Sequence, residues 1–301
     1  MFTVSDVVRN KAATVGAVDW VDQLPNLVAE LADEWHFDPL QPLDGSTESF
    51  LLEVRRRDDS PAVLKLIIPR TIDAARREIT VLELIDGTGG PALFDHDADR
   101  GAILMERLGP SLHDLGLPIE QRHQVMCVAA GQLWRPAPDS GLPTGAQKGR
   151  WLIEHIEQLW EELDRPVQES AVEHAIACAQ RRIQAHDDET AVLVHGDVHQ
   201  WNTLRSRNGF ALIDPDGLLA APEYDLGIIM REDPAELLVE GSWNRAHRLA
   251  DLTGLDPVAM WEWGVVERVS TGLLCQRVGL EPFGRQMLQV AEHLATDDTA
   301  G

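Results

Sequence analysis

Hydrophobic and polar positions alternate along this chain in two rhythms. From Val18 to Trp35 the apolar residues recur at three- and four-residue steps, which predicts an amphipathic helix, interrupted or begun afresh at Pro25. The rhythm then shortens. Phe37 to Leu43 reads as a weak strand, Ser49 to Val54 as a second and Ala62 to Ile68 as a third. Asp44-Gly45-Ser46-Thr47 and Arg57-Asp58-Asp59-Ser60 supply the turns between them. Thr71 to Asp86 returns to helical spacing, with Ile72, Ala75, Ile79, Leu82 and Ile85 on one side. Ala92 to Asp95 and Ala102 to Glu106 are expected as further strands, and Leu108-Gly109-Pro110 breaks the pattern.

Beyond that break the spacing is mainly helical. Helices are expected over Glu120 to Leu133, Arg150 to Leu163 and Glu169 to Ala185. Two short apolar strands follow around residues 192–213, before helices over Glu223 to Met230, Pro234 to Leu252, Pro257 to Val278 and Arg285 to Leu294. The pattern predicts an α+β chain with a small antiparallel-sheet lobe over residues 1–107 and a larger helical lobe over 108–301, leaving a cleft where a nucleotide would sit. There is no internal repeat.

Charge narrows the partners. Against 26 basic residues stand 50 acidic ones, a net charge of −24, which repels nucleic acid and anionic membrane and attracts a small cation. From Asp187 to Glu240 twelve acidic residues face three basic ones. No apolar run approaches the ~20 residues of a membrane span, and the N-terminus has no basic segment followed by an apolar core. Cys127, Cys178 and Cys275 are scattered, as suits buried free thiols in a reducing compartment. A cytoplasmic monomer or weak dimer is expected.

The chemistry concentrates in His195-Gly196-Asp197-Val198-His199-Gln200-Trp201-Asn202 and in Ile213-Asp214-Pro215-Asp216-Gly217. An Asp, an Asn five residues on and a second Asp twelve beyond make up the polar set of a kinase-type phosphoryl-transfer site. Asp197 would accept the proton of an attacking hydroxyl. Asn202 and Asp214 would hold Mg²⁺ against the phosphates of ATP. Asp214 is preferred to Asp216 because it directly follows the apolar run Phe210 to Ile213; Asp216 suits a turn. His195 and His199 are expected to brace the loop and Trp201 to pack. Lys65, one of only three lysines, sits within an apolar strand, where an unpaired ammonium is costly. It is expected to contact nucleotide phosphates with support from Glu78, or in reserve Glu83. Gly45, Ser46 and Thr47 form a candidate phosphate-covering turn, although one glycine is a weak signal. Backbone atoms near Glu106 and Leu108 would face the nucleotide base.

These segments, with Pro222-Glu223-Tyr224-Asp225-Leu226-Gly227 and Ile103 to Leu108, resemble the aminoglycoside phosphotransferase family, and within it the streptomycin 6-phosphotransferase/hydroxyurea phosphotransferase branch. The resemblance runs from about Leu43 to Leu274. It implies a bilobal protein-kinase-like fold, use of ATP and Mg²⁺, and phosphorylation of a small-molecule hydroxyl, streptomycin-like by preference. It matches Asp197 to the catalytic aspartate, Asn202 and Asp214 to the metal ligands and Lys65 to the phosphate-binding lysine. It also places Asp225 near the acceptor, with Glu232, Asp233 and Glu267 as looser candidates for cationic groups. Ala221-Pro222-Glu223 stands where the branch has Gly-Asp-Pro, so Glu223 joins the acceptor candidates. The rival functions are a metabolic kinase for hydroxyurea, choline, homoserine or a sugar amine, and a nucleotide-binding module without catalysis.

Overall fold

The computed structural model describes residues 3–69 and 72–296. The chain divides into two compact units, Met1–Pro110 with Arg205–Asp216, and Ser111–Leu204 with Gly217–Gly301.

The first unit opens on a helix that the hydrophobic pattern did not reveal. In α1 (Asp6–Thr14) only Val8 and Ala12 are buried, and the Ser5 hydroxyl caps it by accepting the Val8 N–H. Helix α2 (Val18–Trp35) runs unbroken through Pro25. Its buried positions are Val21, Leu24, Val28 and Leu31, so Pro25 falls on the solvent side, where the ring interrupts no core contact.

Helix α2 packs on an antiparallel sheet of order β1-β2-β3-β5-β4, formed by β1 (Phe37–Leu43), β2 (Ser49–Arg56), β3 (Pro61–Ile67), β4 (Leu93–Asp97) and β5 (Ala102–Glu106). Pro39 and Pro42 are tolerated in β1 because it is an edge strand, and the register shifts between them. Along β3 the side chains alternate. Ala62, Leu64 and Leu66 join the core under α1 and α2, which sends Lys65 to the opposite face. Helix α3 (Ile72–Ile85) buries Ala75, Ile79, Leu82 and Ile85; the expected contribution of the Ile72 side chain, and the start at Thr71, lie outside the described residues.

The second unit is built on α4 (Ile119–Gly131), α5 (Gly145–Glu162) and α6 (Glu169–Gln184). Thr144 and Gln147 form a reciprocal capping box that starts α5 five residues before its expected start at Arg150. The strand region holds four short strands rather than two: β6 (Val192–Val194), β7 (Thr203–Ser206), β8 (Gly209–Leu212) and β9 (Leu218–Ala220). β6 pairs with β9, and β7 with β8. Residues Arg205–Asp216 group with the first unit because Leu212 N–H donates to the Gly89 carbonyl at 2.8 Å and Gly109 N–H to the Arg205 carbonyl at 2.8 Å.

Helix α7 (Glu223–Arg231) follows. The single helix expected over Pro234 to Leu252 is two, α8 (Pro234–Glu240) and α9 (Ser242–Thr253), because Gly241 takes a left-handed φ of 86°. Helix α10 (Pro257–Arg277), capped by Asp256, and α11 (Phe283–Thr296) complete the unit. Helices α7 and α10 touch through glycines. A Cβ on Gly227 would stand 2.3 Å from the Trp263 Cβ, and one on Gly264 would stand 2.6 Å from that of Met230. That proximity brings the end of α7 against the middle of α10.

Candidate active site

Within the first unit, strand β3, helix α3 and the turn after β8 converge on one ammonium. Lys65 Nζ donates to both Glu78 oxygens at 2.7 Å and to Asp214 Oδ1 at 2.8 Å. Burial opposes the charge on Lys65, but the carboxylates of Asp214 and Glu78 outweigh it and hold the ammonium above its ordinary range. Glu78 is pushed up by its burial and by Asp214 against the pull of Lys65. Asp214 adopts a left-handed φ of 59°, a conformation Asp tolerates better than most residues, and this turns its carboxylate back onto Lys65. Its side chain remains 40% exposed, so a hard oxygen donor is available for a metal. Glu83 pairs instead with His96 at 3.2 Å.

The other nucleotide candidates of this unit are occupied in part. Ser46 Oγ accepts the Ser49 N–H at 3.1 Å and lies 2.7 Å from Ser49 Oγ, which folds the turn on itself. Gly45 has a φ of 106° and Thr47 is exposed. The Glu106 N–H donates to the Ala92 carbonyl at 2.8 Å, and the Leu108 carbonyl accepts from Arg107 at 3.1 Å. Both backbone groups therefore already have partners.

Within the second unit the loop after β6 carries Asp197. Its amide donates to His195 Nδ1 at 3.2 Å, and the Asn202 amide donates to His199 Nδ1 at 3.2 Å, so both histidines brace the loop. Because His199 Nδ1 accepts, its Nε2 carries the proton and donates to Asp197 Oδ2 at 3.1 Å. Asn202 Nδ2 donates to the Asp197 carbonyl at 3.2 Å and to Oδ2 at 3.3 Å. The amide oxygen of Asn202 consequently faces away from Asp197 and could serve a metal.

The opposite oxygen of Asp197 meets a residue the sequence pattern did not single out. Arg231, the last residue of α7, donates to Asp197 Oδ1 at 3.0 Å. Burial works against ionisation of Asp197, yet His199 and Arg231 together hold its carboxyl far below the usual range. Its side chain is 35% exposed, so part of the ionised group remains accessible.

The expected acceptor residues divide. Glu232 lies 3.4 Å and Glu267 3.6 Å from Arg231, beside Asp197. Asp225 has no exposed surface. Its carboxylate accepts the N–H groups of His195 at 3.0 Å and Gly196 at 2.8 Å and the Trp134 indole N–H at 3.0 Å, so it holds the loop from beneath rather than facing an acceptor. Asp233 pairs with Arg122 at 2.9 Å, and Glu223 accepts the Asp256 N–H at 3.2 Å. Trp201, expected to pack, is 47% exposed and stacks on His113 at a centroid separation of 5.0 Å.

Residues 34–279 match the model of the aminoglycoside/hydroxyurea antibiotic resistance kinase family. The streptomycin 6-kinase of Streptomyces glaucescens is 29% identical over 257 residues, covering 81% of each chain. Two solved structures share the fold. The aminoglycoside phosphotransferase APH(4)-Ia, in a ternary complex with ADP and hygromycin B, aligns with a TM-score of 0.62 at 14% identity over 91% of this chain and 99% of its own. The choline kinase LicA of Streptococcus pneumoniae aligns with a TM-score of 0.61 at 13% identity over the same shares. Their likeness establishes a kinase-like α+β fold.

Proposed function

The chain belongs to the aminoglycoside/hydroxyurea antibiotic resistance kinase family, and we propose that it transfers the γ-phosphoryl group of ATP to a hydroxyl of a cationic aminoglycoside, with streptomycin the first candidate. The observation that carries this is the Asp197 carboxylate, kept ionised by His199 and Arg231 in a side chain that stays 35% exposed, so that its edge can be reached. An acceptor hydroxyl donating to that edge is oriented for attack and loses its proton to Asp197 as the new P–O bond forms and the bond to the ADP leaving group breaks. A carboxylate so strongly stabilised is a weak base, so its contribution is chiefly orientation of the hydroxyl.

Lys65, fixed by Glu78, is positioned in its own unit to neutralise phosphate charge. By the family resemblance, Asn202 of the second unit and Asp214 of the first are the residues that would hold Mg²⁺, which when bound neutralises charge developing on the phosphates. Asp197, Glu232 and Glu267 against Arg231 and the buried Arg268 leave a formal excess of one negative charge, which favours a cationic acceptor. That same excess suits a choline-type alcohol, the activity in the name of one structural relative.

Mass spectrometry of purified protein with ATP, Mg²⁺ and a panel of streptomycin, other aminoglycosides, choline and hydroxyurea separates these acceptors. A mass gain of one phosphate on streptomycin is expected. Phosphorylation of choline or hydroxyurea alone would overturn the aminoglycoside assignment and leave the kinase assignment standing. Asp197→Asn should abolish turnover with little change in nucleotide affinity.

A further inference from the structure

Arg231 is the most heavily partnered side chain around Asp197. The guanidinium donates to Asp197 Oδ1 at 3.0 Å and to Thr271 Oγ1 at 3.2 Å, and lies 3.4 Å from Glu232 and 3.6 Å from Glu267. Glu267 is itself fixed, because the buried Tyr224 hydroxyl donates to its other oxygen. Glu267 and Thr271 stand one turn apart on α10, so they present two acceptors to the same guanidinium. The close approach of α7 and α10 at Gly227 and Gly264 sets the reach from helix end to Asp197.

A planar fork with five donors spreads its bonds over three nitrogens in fixed directions, whereas a lysine ammonium offers three donors from a single atom. Arg231 is buried, and three carboxylates keep it charged. It touches the proposed hydroxyl-accepting carboxylate on the oxygen opposite His199, so Asp197 is gripped on both sides and its rotation about χ2 is blocked.

We infer that Arg231 is a positioning residue for phosphoryl transfer, clamped by Glu232, Glu267 and Thr271 so that it fixes the Asp197 carboxylate in the orientation that receives the acceptor hydroxyl. This rests on the assignment of Asp197 as the hydroxyl-accepting group. Arg231 acts through Asp197, so its loss slows the chemical step without weakening nucleotide binding.

Steady-state kinetics of the full chain test this, with ATP, Mg²⁺ and whichever panel acceptor is turned over fastest. Arg231→Gln should lower kcat by about 100-fold, the penalty of roughly 1 Å of misplacement at a reacting group, with the KM for ATP within threefold of wild type. Arg231→Lys, which keeps the charge but not the fork, should recover about tenfold of that loss. In an Asp197→Asn background Arg231→Gln should have no further effect on the residual rate, as expected of two residues acting through one group.

Near-normal kcat in Arg231→Gln overturns the inference, as does a parallel loss of kcat and ATP affinity with a lowered melting temperature, which marks a merely structural role. Should Arg231→Gln fail to fold, Glu267→Gln loosens the clamp from behind, and a kcat unchanged in that variant also overturns it. Full activity of Asp197→Asn would instead refute the assignment of Asp197 and this inference with it. An inactive Asp197→Asn beside a fully active Arg231→Gln would refute this inference alone.

Discussion

Replacing Asp225 by alanine removes the acceptor for two buried main-chain N–H groups and one indole N–H beneath the Asp197 loop. Each buried donor left without a partner costs about 1–3 kcal/mol, and the partly exposed Trp134 indole less. Against this, burial pushes the Asp225 carboxyl above its ordinary range despite His195, Gly196 and Trp134, so the native state already bears a desolvation cost that alanine relieves. The balance is a loss of about 2–4 kcal/mol for Asp225→Ala. Asp225→Asn keeps one acceptor oxygen and carries no charge to bury, so it should cost less, about 1–2 kcal/mol, although its amide group faces a donor. Urea denaturation gives both values. Kinetics add a second readout: a loosened loop misplaces Asp197 and lowers kcat by about 100-fold while acceptor KM changes little. The reasoning fails if Asp225→Ala is as stable as wild type, or if Asn costs more than Ala. A rise in acceptor KM far larger than the fall in kcat would make Asp225 an acceptor contact, contrary to its burial.

Two other perturbations probe the frame of the same unit. Gly227→Ala would ordinarily stabilise a helix by ~1 kcal/mol, but here the new methyl meets the Trp263 Cβ, so a destabilisation of about 1–3 kcal/mol is expected by thermal denaturation; a stabilised variant would show that α7 and α10 do not meet as described. Glu240 sits partly buried against Arg248 and Arg245 at the α8–α9 junction, and although burial works against its charge, their hydrogen bonds hold its carboxyl below the ordinary value of 4.5. Its contribution is therefore present above that value and lost as pH falls through the lower, folded-state one. Glu240→Gln should lower stability by ~1 kcal/mol at pH 7, and the gap should narrow as pH falls below 4.5; a gap that does not narrow on acidification refutes the ion-pair account.

Local rhythm carried most of the fold because it reports one-sided burial. The strands β1 to β5 and the helices on either side were legible from period-2 and period-3.6 spacing. Helix α1 was not, since two buried residues in nine give no stripe. The α8–α9 break was hidden because a glycine in helical spacing does not announce its φ. At the candidate site, motif spacing picked out Asp197, Asn202 and Asp214, and isolation among apolar neighbours picked out Lys65. Arg231 left no such trace. It stands 34 residues from Asp197, and its partners Glu267 and Thr271 lie on a different helix, so only the crossing of α7 and α10 brings them together. The place of Asp225 is hidden for a related reason: a carboxylate under a loop and one beside an acceptor look alike in sequence until backbone N–H groups are placed around it.

The acidic surplus of the chain attracts a cation only where a carboxylate is not already matched. In the second unit Asp233 is paired by Arg122, Glu240 by Arg245 and Arg248, and Glu262 by Arg181 and Arg182. The formal excess of one at Asp197, Glu232 and Glu267 is different, because three carboxylates share Arg231, only Arg268 adds a second buried guanidinium, and the Asp197 side chain is partly exposed. A unit positive charge about 6 Å from that excess gains ~0.7 kcal/mol at the dielectric constant of water, a factor of about three in affinity. Salt at physiological strength, with a screening length of ~8 Å, removes about half of it, and higher salt removes more. The KM for streptomycin should therefore rise about twofold between about 0.02 and 0.5 M salt, while any turnover of uncharged hydroxyurea should show a KM that hardly moves. A streptomycin KM independent of salt would place the recognition of its cationic groups away from this cluster, and would leave Glu232 and Glu267 with the single task of holding Arg231.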